Sequence, residues 1–382
     1  MNEILFTEEH QTFRQMVAKF VANEIDPNAK KWNEACELPR AVWLKMGELG
    51  ILGTSYAETY GGSEGDLMYS IILAEELTRS RCSGLNMAVC VHNDMSSNYL
   101  LSGPVDLQMK YIPKCITGEA ICAIAVTEPG SGSDVGAIKT QAVRQGGQYI
   151  LNGQKTFITN GYKADLIVVA VKIDPTASRP HHGISLMVVE DDTEGFSRGT
   201  KLHKMGNLAS DTAELFFQDC PVPAGNLLGE ENGGFKIIME HFGLERLVAS
   251  AMYVTACEEM LKITTDYCLG PHASGQSNSL SQANKHQLVE MYTETELART
   301  FLYECCCRYM NGERIDKEIS MIKYYGSELS NKIANQCMTL HGAYGYMREC
   351  PICQWFADVR LYTIGAGTTE IMKEIVAKTI GL

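Results

Sequence analysis

No apolar run in this 382-residue chain approaches the ~20 residues that span a bilayer. The stretch from Met1 to Ile25 mixes acids and His with an amphipathic stripe, which suits a first helix and not an Arg-rich, acid-poor transit peptide or a secretory leader. The end, Lys378-Thr-Ile-Gly-Leu382, is neither a peroxisomal tripeptide nor a prenylation motif. The chain therefore reads as mature and soluble, located in the cytoplasm, or in the mitochondrial matrix if a transit peptide has been removed. A basic surplus is missing as well. A net charge of −13 argues against nucleic acid or an anionic membrane surface as the main partner. Cys350-Pro-Ile-Cys353 has no second CxxC to complete a zinc site, so no metal is assigned. The fourteen cysteines, without a leader, read as reduced thiols and not as a disulfide framework. Solenoid repeats, low-complexity tracts and a GxGxxG turn are lacking too, and the last of these disfavours a nicotinamide site.

What remains is a chain long enough for two or three domains, 45% hydrophobic, with three zones. Residues 1–119 read as helices broken at Gly50, Gly53 and Tyr60-Gly61-Gly62-Ser63. From 120 to 232 the pattern turns to short β-rich runs, among them Ile121 to Val126, Tyr149 to Leu151, Thr156 to Thr159 and Leu166 to Val171. Turns at Gly146-Gly147 and Asn152-Gly153 separate them, as in a small antiparallel sandwich or barrel. From 233 to 382 the helical period returns, in segments beginning near Phe235, Gln282, Lys317 and Thr369. The fold class is thus α+β: an all-α zone, a β zone and a second α zone.

One helical stripe carries an acid out of place. Ile238, Phe242, Val248, Ala249 and Met252 recur at helical spacing, and Glu245 falls on the same face. Desolvation there raises a carboxyl pKa toward the range of a general base; an acid at a groove edge or paired with a distant cation is the alternative. Thr127-Glu-Pro-Gly-Ser-Gly-Ser-Asp134 follows an apolar strand with glycines and hydroxyls that suit a cofactor or phosphate, or a plain surface turn. In Lys155-Thr-Phe-Ile-Thr-Asn-Gly161, strand alternation places Phe157 and Thr159 on one face, where they suit a flat heterocycle or an ordinary sheet surface. Gly365-Ala366-Gly367-Thr368 permits close backbone approach, or simply an N-cap by Thr368.

These motifs, in this order, resemble the acyl-CoA dehydrogenase family from the first helix to the last. His203-Lys-Met-Gly206, Ser210-Asp-Thr212 and Leu228-Gly-Glu-Glu-Asn-Gly-Gly234 add to the resemblance. It implies an N-terminal all-α domain, a middle β-sandwich or barrel domain and a C-terminal four-helix bundle, assembled as a homotetramer or dimer. The implied reaction is flavin-dependent α,β-dehydrogenation of an acyl thioester, with electron-transfer flavoprotein as acceptor. Short- and medium-chain members carry their base just before the Gly-Thr of the last turn, where this chain has Ala366. Isovaleryl-CoA and long-chain members carry it in a Glu-Arg-Leu sequence, reproduced by Glu245-Arg246-Leu247. By resemblance, Glu245 is the catalytic base. Thr127, Ser133, Phe157, Ile158, Thr159 and Thr368 hold FAD, and Ser133, Arg246, Gly365, Ala366 and Gly367 face the substrate, with Met95, Ser96 and Ser97 deeper in the pocket.

Three departures weaken the expected grip on FAD. The family's Arg after the Tyr of the next helix, a ligand of the FAD pyrophosphate, is Pro271 in Tyr267-Cys-Leu-Gly-Pro-His-Ala-Ser-Gly275. The Gln-x-x-Gly-Gly segment reads Thr339-Leu-His-Gly-Ala343. His272 and Lys285 are the available substitutes. Two alternatives stay open: a dehydrogenase of a carrier-protein-bound acyl or aminoacyl group, and a flavin-free relative doing α-proton chemistry, in which His241 shares the proton. Chain length, branching and physiological direction are not legible.

Overall fold

The computed structural model describes residues 5–270 and 281–382. Helices fill the first part: α1 (Glu8–Phe20), α2 (Asp26–Ala35), α3 (Arg40–Glu48), α4 (Leu67–Thr78), α5 (Ser83–Asn93) and α6 (Val105–Ile116). Their starts are chemically marked. Thr7 and His10 form a reciprocal capping box on α1, and the Asp66 side chain accepts from Met68 N at 2.9 Å to cap α4.

A single sheet follows, made of β1 (Cys122–Ala125), β2 (Gln141–Gln145), β3 (Gln148–Thr159), β4 (Leu166–Lys172), β5 (Ile184–Glu190), β6 (Phe196–Lys201), β7 (Thr212–Pro223) and β8 (Leu227–Leu228). The strand order is β6-β7-β3-β2-β4-β5-β8, with β1 beside β4. Most pairings are antiparallel, as the hairpin signals predict, but β1 and β2 both run parallel to β4. Gly146-Gly147 is the turn joining β2 to β3. Asn152-Gly153 is not a turn. It is a bulge inside β3, where the register on β7 slips between Leu151 and Gly153, and a Cβ on Gly153 would lie 2.5 Å from Thr140 Oγ1.

The last part holds α7 (Gly234–Leu269), α8 (Gln282–Met310), α9 (Asp316–His341), α10 (Pro351–Val359) and α11 (Thr369–Ile380). Helices α7, α8, α9 and α11 form the bundle, with α9 packed against the other three. The short α10, which carries Cys353, was not expected from the sequence. One apolar core joins the N-terminal helices to the bundle: Met68 and Ile71 of α4 meet Met252, Ala256, Ile322 and Ile333. That junction fixes α7 against the segment that follows α5, and the site lies there. Among the described residues, no helix is long and apolar enough to cross a membrane.

Candidate active site

Glu245 sits on α7 with 5% of its surface exposed, in line with the buried Ile238, Val248, Ala249 and Met252. Burial drives its carboxyl pKa from the usual range to about 8, against the opposing pull of a Tyr99 hydrogen bond and the Arg246 charge. Tyr99 Oη donates to Glu245 Oε1 at 2.7 Å from the short 3₁₀ helix Ser97–Ser102. His241, one helical turn before Glu245, lays its ring 4.2 Å from that of Tyr99, and burial lowers its pKa, favouring the neutral ring. Its Nε2 is buried without a hydrogen-bond partner among the described residues.

Arg246 points to a second surface. Its guanidinium lies 4.7 Å over the Phe242 ring, its Nε has no hydrogen-bond partner among the described residues, and an atom added at Gly367 would come within 3.7 Å of its Nη2. The helix therefore meets the Gly365–Thr368 turn. That turn is clamped, and it is strained at Ala366, φ 54°, while Gly367 takes φ 94° at no steric cost; the buried Lys323 ammonium donates to the carbonyls of Tyr362 and Gly367. Burial lowers the Lys323 pKa to about 8, and the neighbouring Arg246 charge adds to the shift. Thr368 caps α11, accepting from Ile371 N at 3.3 Å.

The middle-domain motifs come together as a unit. Thr156 N donates to Thr127 O at 2.9 Å, and the buried Lys155 Nζ reaches Glu128 Oε1 at 2.8 Å, so the Thr127 loop is fastened along β3. Gly130 and Gly132 face open space, and Ser133 is exposed. Phe157 has a left-handed backbone, φ 60°, at a second bulge in β3, and 68% of its surface is exposed. Thr159, two residues on, is half-buried. Ile158 points the other way into the sheet core, so only its main chain faces outward. A large ring held outward at a strained position suits a flat partner laid against it. The residues thus fit the ring end of a flavin. Of the residues that the resemblance sets at the pyrophosphate end, Thr339 and Ala343 are exposed and uncharged, Lys285 is exposed, and Pro271 and His272 lie outside the described residues.

The two groups share one apolar cluster. Phe242, a turn before Glu245, and Tyr99 pack in it with Val126, the residue before Thr127. Family models for the acyl-CoA dehydrogenase N-terminal, middle and C-terminal domains match residues 7–119, 123–220 and 232–381. The chain belongs to the acyl-CoA dehydrogenase family. It is 42% identical to mouse mitochondrial long-chain specific acyl-CoA dehydrogenase over 98% of this chain and 87% of that protein. It is 35% identical to mitochondrial isovaleryl-CoA dehydrogenase of Pongo abelii over 97% and 88%. The crystal structure of an acyl-CoA dehydrogenase from Geobacillus kaustophilus is similar at 46% identity, TM-score 0.95 and 99% coverage of both chains. An FAD complex of PigA (26% identity, TM-score 0.94, 99% and 98% coverage) and the prolyl acyl carrier protein oxidase AnaB (30%, 0.91, 99% and 100%) share the fold.

Sequence reasoning missed Tyr99 and Lys323. Nothing local ties Tyr99 to an acid 146 residues downstream. Ser96 and Ser97, expected in the pocket, spend their hydroxyls on the carbonyls of Val91 and His92. Met95 packs against the bundle core. Among the described residues, no cluster of three or more His, Cys, Asp or Glu is placed to hold a metal.

Proposed function

We propose that the protein is a flavin-dependent dehydrogenase converting an acyl-CoA to its 2-enoyl thioester, with Glu245 as the base that removes the α-proton. The observation that carries this reading is the burial of Glu245, hydrogen-bonded among the described residues through Oε1 alone, on a helix that meets the Gly365–Thr368 turn. A thioester α-proton is weakly acidic, so the base must hold a proton well once it takes it, and desolvation supplies that basicity. Apolar packing around Glu245 excludes water from the reacting carbons.

FAD, when bound, supplies the two-electron oxidant that takes the β-hydrogen with its electron pair. Thr127, Ser133, Phe157, Thr159, Thr368 and the main chain of Ile158 would hold it. Arg246, Ser133 and the small residues Gly365, Ala366 and Gly367 line the acyl-thioester side. FAD is held weakly, because the pyrophosphate residues of the family are replaced at Pro271, Thr339 and Ala343. The exposed Val289, Tyr292 and Leu297 on one face of α8 fit burial against a second copy in a homodimer or homotetramer. Electron-transfer flavoprotein is the proposed acceptor. Fourteen free cysteines suit a reducing compartment, the cytoplasm or the mitochondrial matrix.

A second reading, an acyl group borne on a carrier protein, is supported by the likeness to AnaB. It uses the same base and is distinguished by preference for the carrier over free CoA. The test of the main reading is the visible spectrum of the purified protein, as isolated and after incubation with FAD. A flavin band that bleaches on addition of an acyl-CoA supports dehydrogenation. A folded protein that takes up no FAD points to redox-free proton chemistry at Glu245.

A further inference from the structure

We infer that Tyr99 is the positioning residue of the Glu245 base: its hydroxyl engages Oε1, leaves Oε2 to meet the α-proton, and sets how readily the carboxylate takes it. The inference rests on the reading of Glu245 as the base.

Tyr99 is fully buried, and its Oη lies 2.7 Å from Oε1, the only side-chain hydrogen bond Glu245 makes among the described residues. The turn bearing Tyr99 is held from several sides. Ser96 and Ser97 donate to carbonyls at the end of α5, Tyr56 donates to Ser97 Oγ at 2.6 Å, and His92 bridges Cys115 O (3.1 Å) and Cys122 N (3.0 Å). His241 packs on the Tyr99 ring. Neither partner can swing without disturbing packed structure, so the hydrogen bond fixes the carboxylate plane.

The donor's chemistry matters as much as its position. Glu245 is faced by Arg246 on its own helix and by Asp94 and Cys90 from α5 and its end; His241, whose pKa burial lowers, packs on Tyr99, and Lys323 and Asp316 act through Arg246. A direct contact with a cation would hold the carboxylate ionised and too weak a base for a thioester α-carbon. A phenol donates to the ionised form without adding charge. Burial and the adjacent carboxyl push the Tyr99 pKa well up, so it remains a donor throughout the working range. Tyr99 thus moderates a basicity that burial alone would overshoot.

The experiment is pH-difference infrared spectroscopy of the purified full-length protein without substrate, with the Glu245 carboxyl band identified by its loss in Glu245→Gln. In Tyr99→Phe, which keeps the ring and its packing, the midpoint is expected to rise by about one to two pH units. Biosynthetic replacement of tyrosine by a ring-fluorinated analogue makes a stronger donor and moves the midpoint down, and it serves if Tyr99→Phe does not fold. A midpoint that stays put in the folded Tyr99→Phe protein, or does not fall on fluorination, overturns the inference. The band reports Glu245 whether or not the protein is a dehydrogenase. A Glu245→Gln protein that still oxidises acyl-CoA therefore removes the base reading while leaving the Tyr99 titration result separately visible.

Discussion

Lys155 and Glu128 form an ion pair of 2.8 Å in which both side chains are buried, and it joins the two middle-domain motifs by their roots. Glu128 also accepts from Thr140 N at 2.9 Å and from Lys139 N at 2.6 Å. Burial works to raise its pKa, but Lys155 and these donors outweigh it and hold the carboxyl below the usual range. Burial lowers the Lys155 pKa to about 8 despite the pair. The Thr127 loop and the Phe157 bulge are therefore positioned together.

Removing one member leaves an uncompensated buried charge, so Lys155→Met is expected to destabilise the protein by about 3–5 kcal/mol in denaturant titration. The double variant Lys155→Met with Glu128→Gln should recover much of this loss. Equal stability of the single and double variants would contradict a coupled pair.

Phe157 couples strain to binding. Its left-handed backbone costs on the order of 1 kcal/mol, and its ring is mostly outside the core. Phe157→Gly is expected to leave the FAD-free protein as stable or slightly more so, by thermal unfolding. FAD affinity should fall about tenfold with the loss of an aromatic face.

The pH dependence of stability reports Glu245 directly. The unfolded chain releases the Glu245 proton near 4.5, whereas the folded protein keeps it to about 8. Across that window the folded state binds more protons, so the contribution of Glu245 to stability falls as pH rises. Glu245→Gln removes the titration. It should match the parent at about pH 4 and exceed it at pH 8 by a margin on the order of a few kcal/mol. Parallel stability curves would show that Glu245 titrates like an ordinary carboxylate.

Glu245 was legible because a helix repeats its environment every turn, so an acid among Ile238, Val248 and Met252 declares its own burial. The three-zone order was legible for the same reason, as one period gave way to another. Tyr99 was not, since a hydrogen bond across 146 residues leaves no periodic trace. Asn152-Gly153 misled because the same dipeptide serves a hairpin turn and a bulge, and only β7 pairing on both sides of it decides between them. The parallel placement of β1 and β2 beside β4 is likewise set by tertiary packing.

Pro271, which the resemblance sets where the family carries a pyrophosphate-binding Arg, allows a gain-of-binding prediction. Restoring the guanidinium with Pro271→Arg, at a position outside the described residues, should tighten FAD by about tenfold to a hundredfold. Fluorescence titration of the FAD-free protein measures it. No change would mean that another group already neutralises the diphosphate.

The most direct test of the account is anaerobic mixing of the FAD-loaded protein with an acyl-CoA series, in parent and Glu245→Gln, followed at the flavin absorption band. The parent is expected to bleach with at least one acyl-CoA, at a rate that climbs with pH toward about 8. Glu245→Gln should keep its flavin spectrum and fail to bleach. Bleaching of Glu245→Gln at near the parent rate would contradict the assignment of the base.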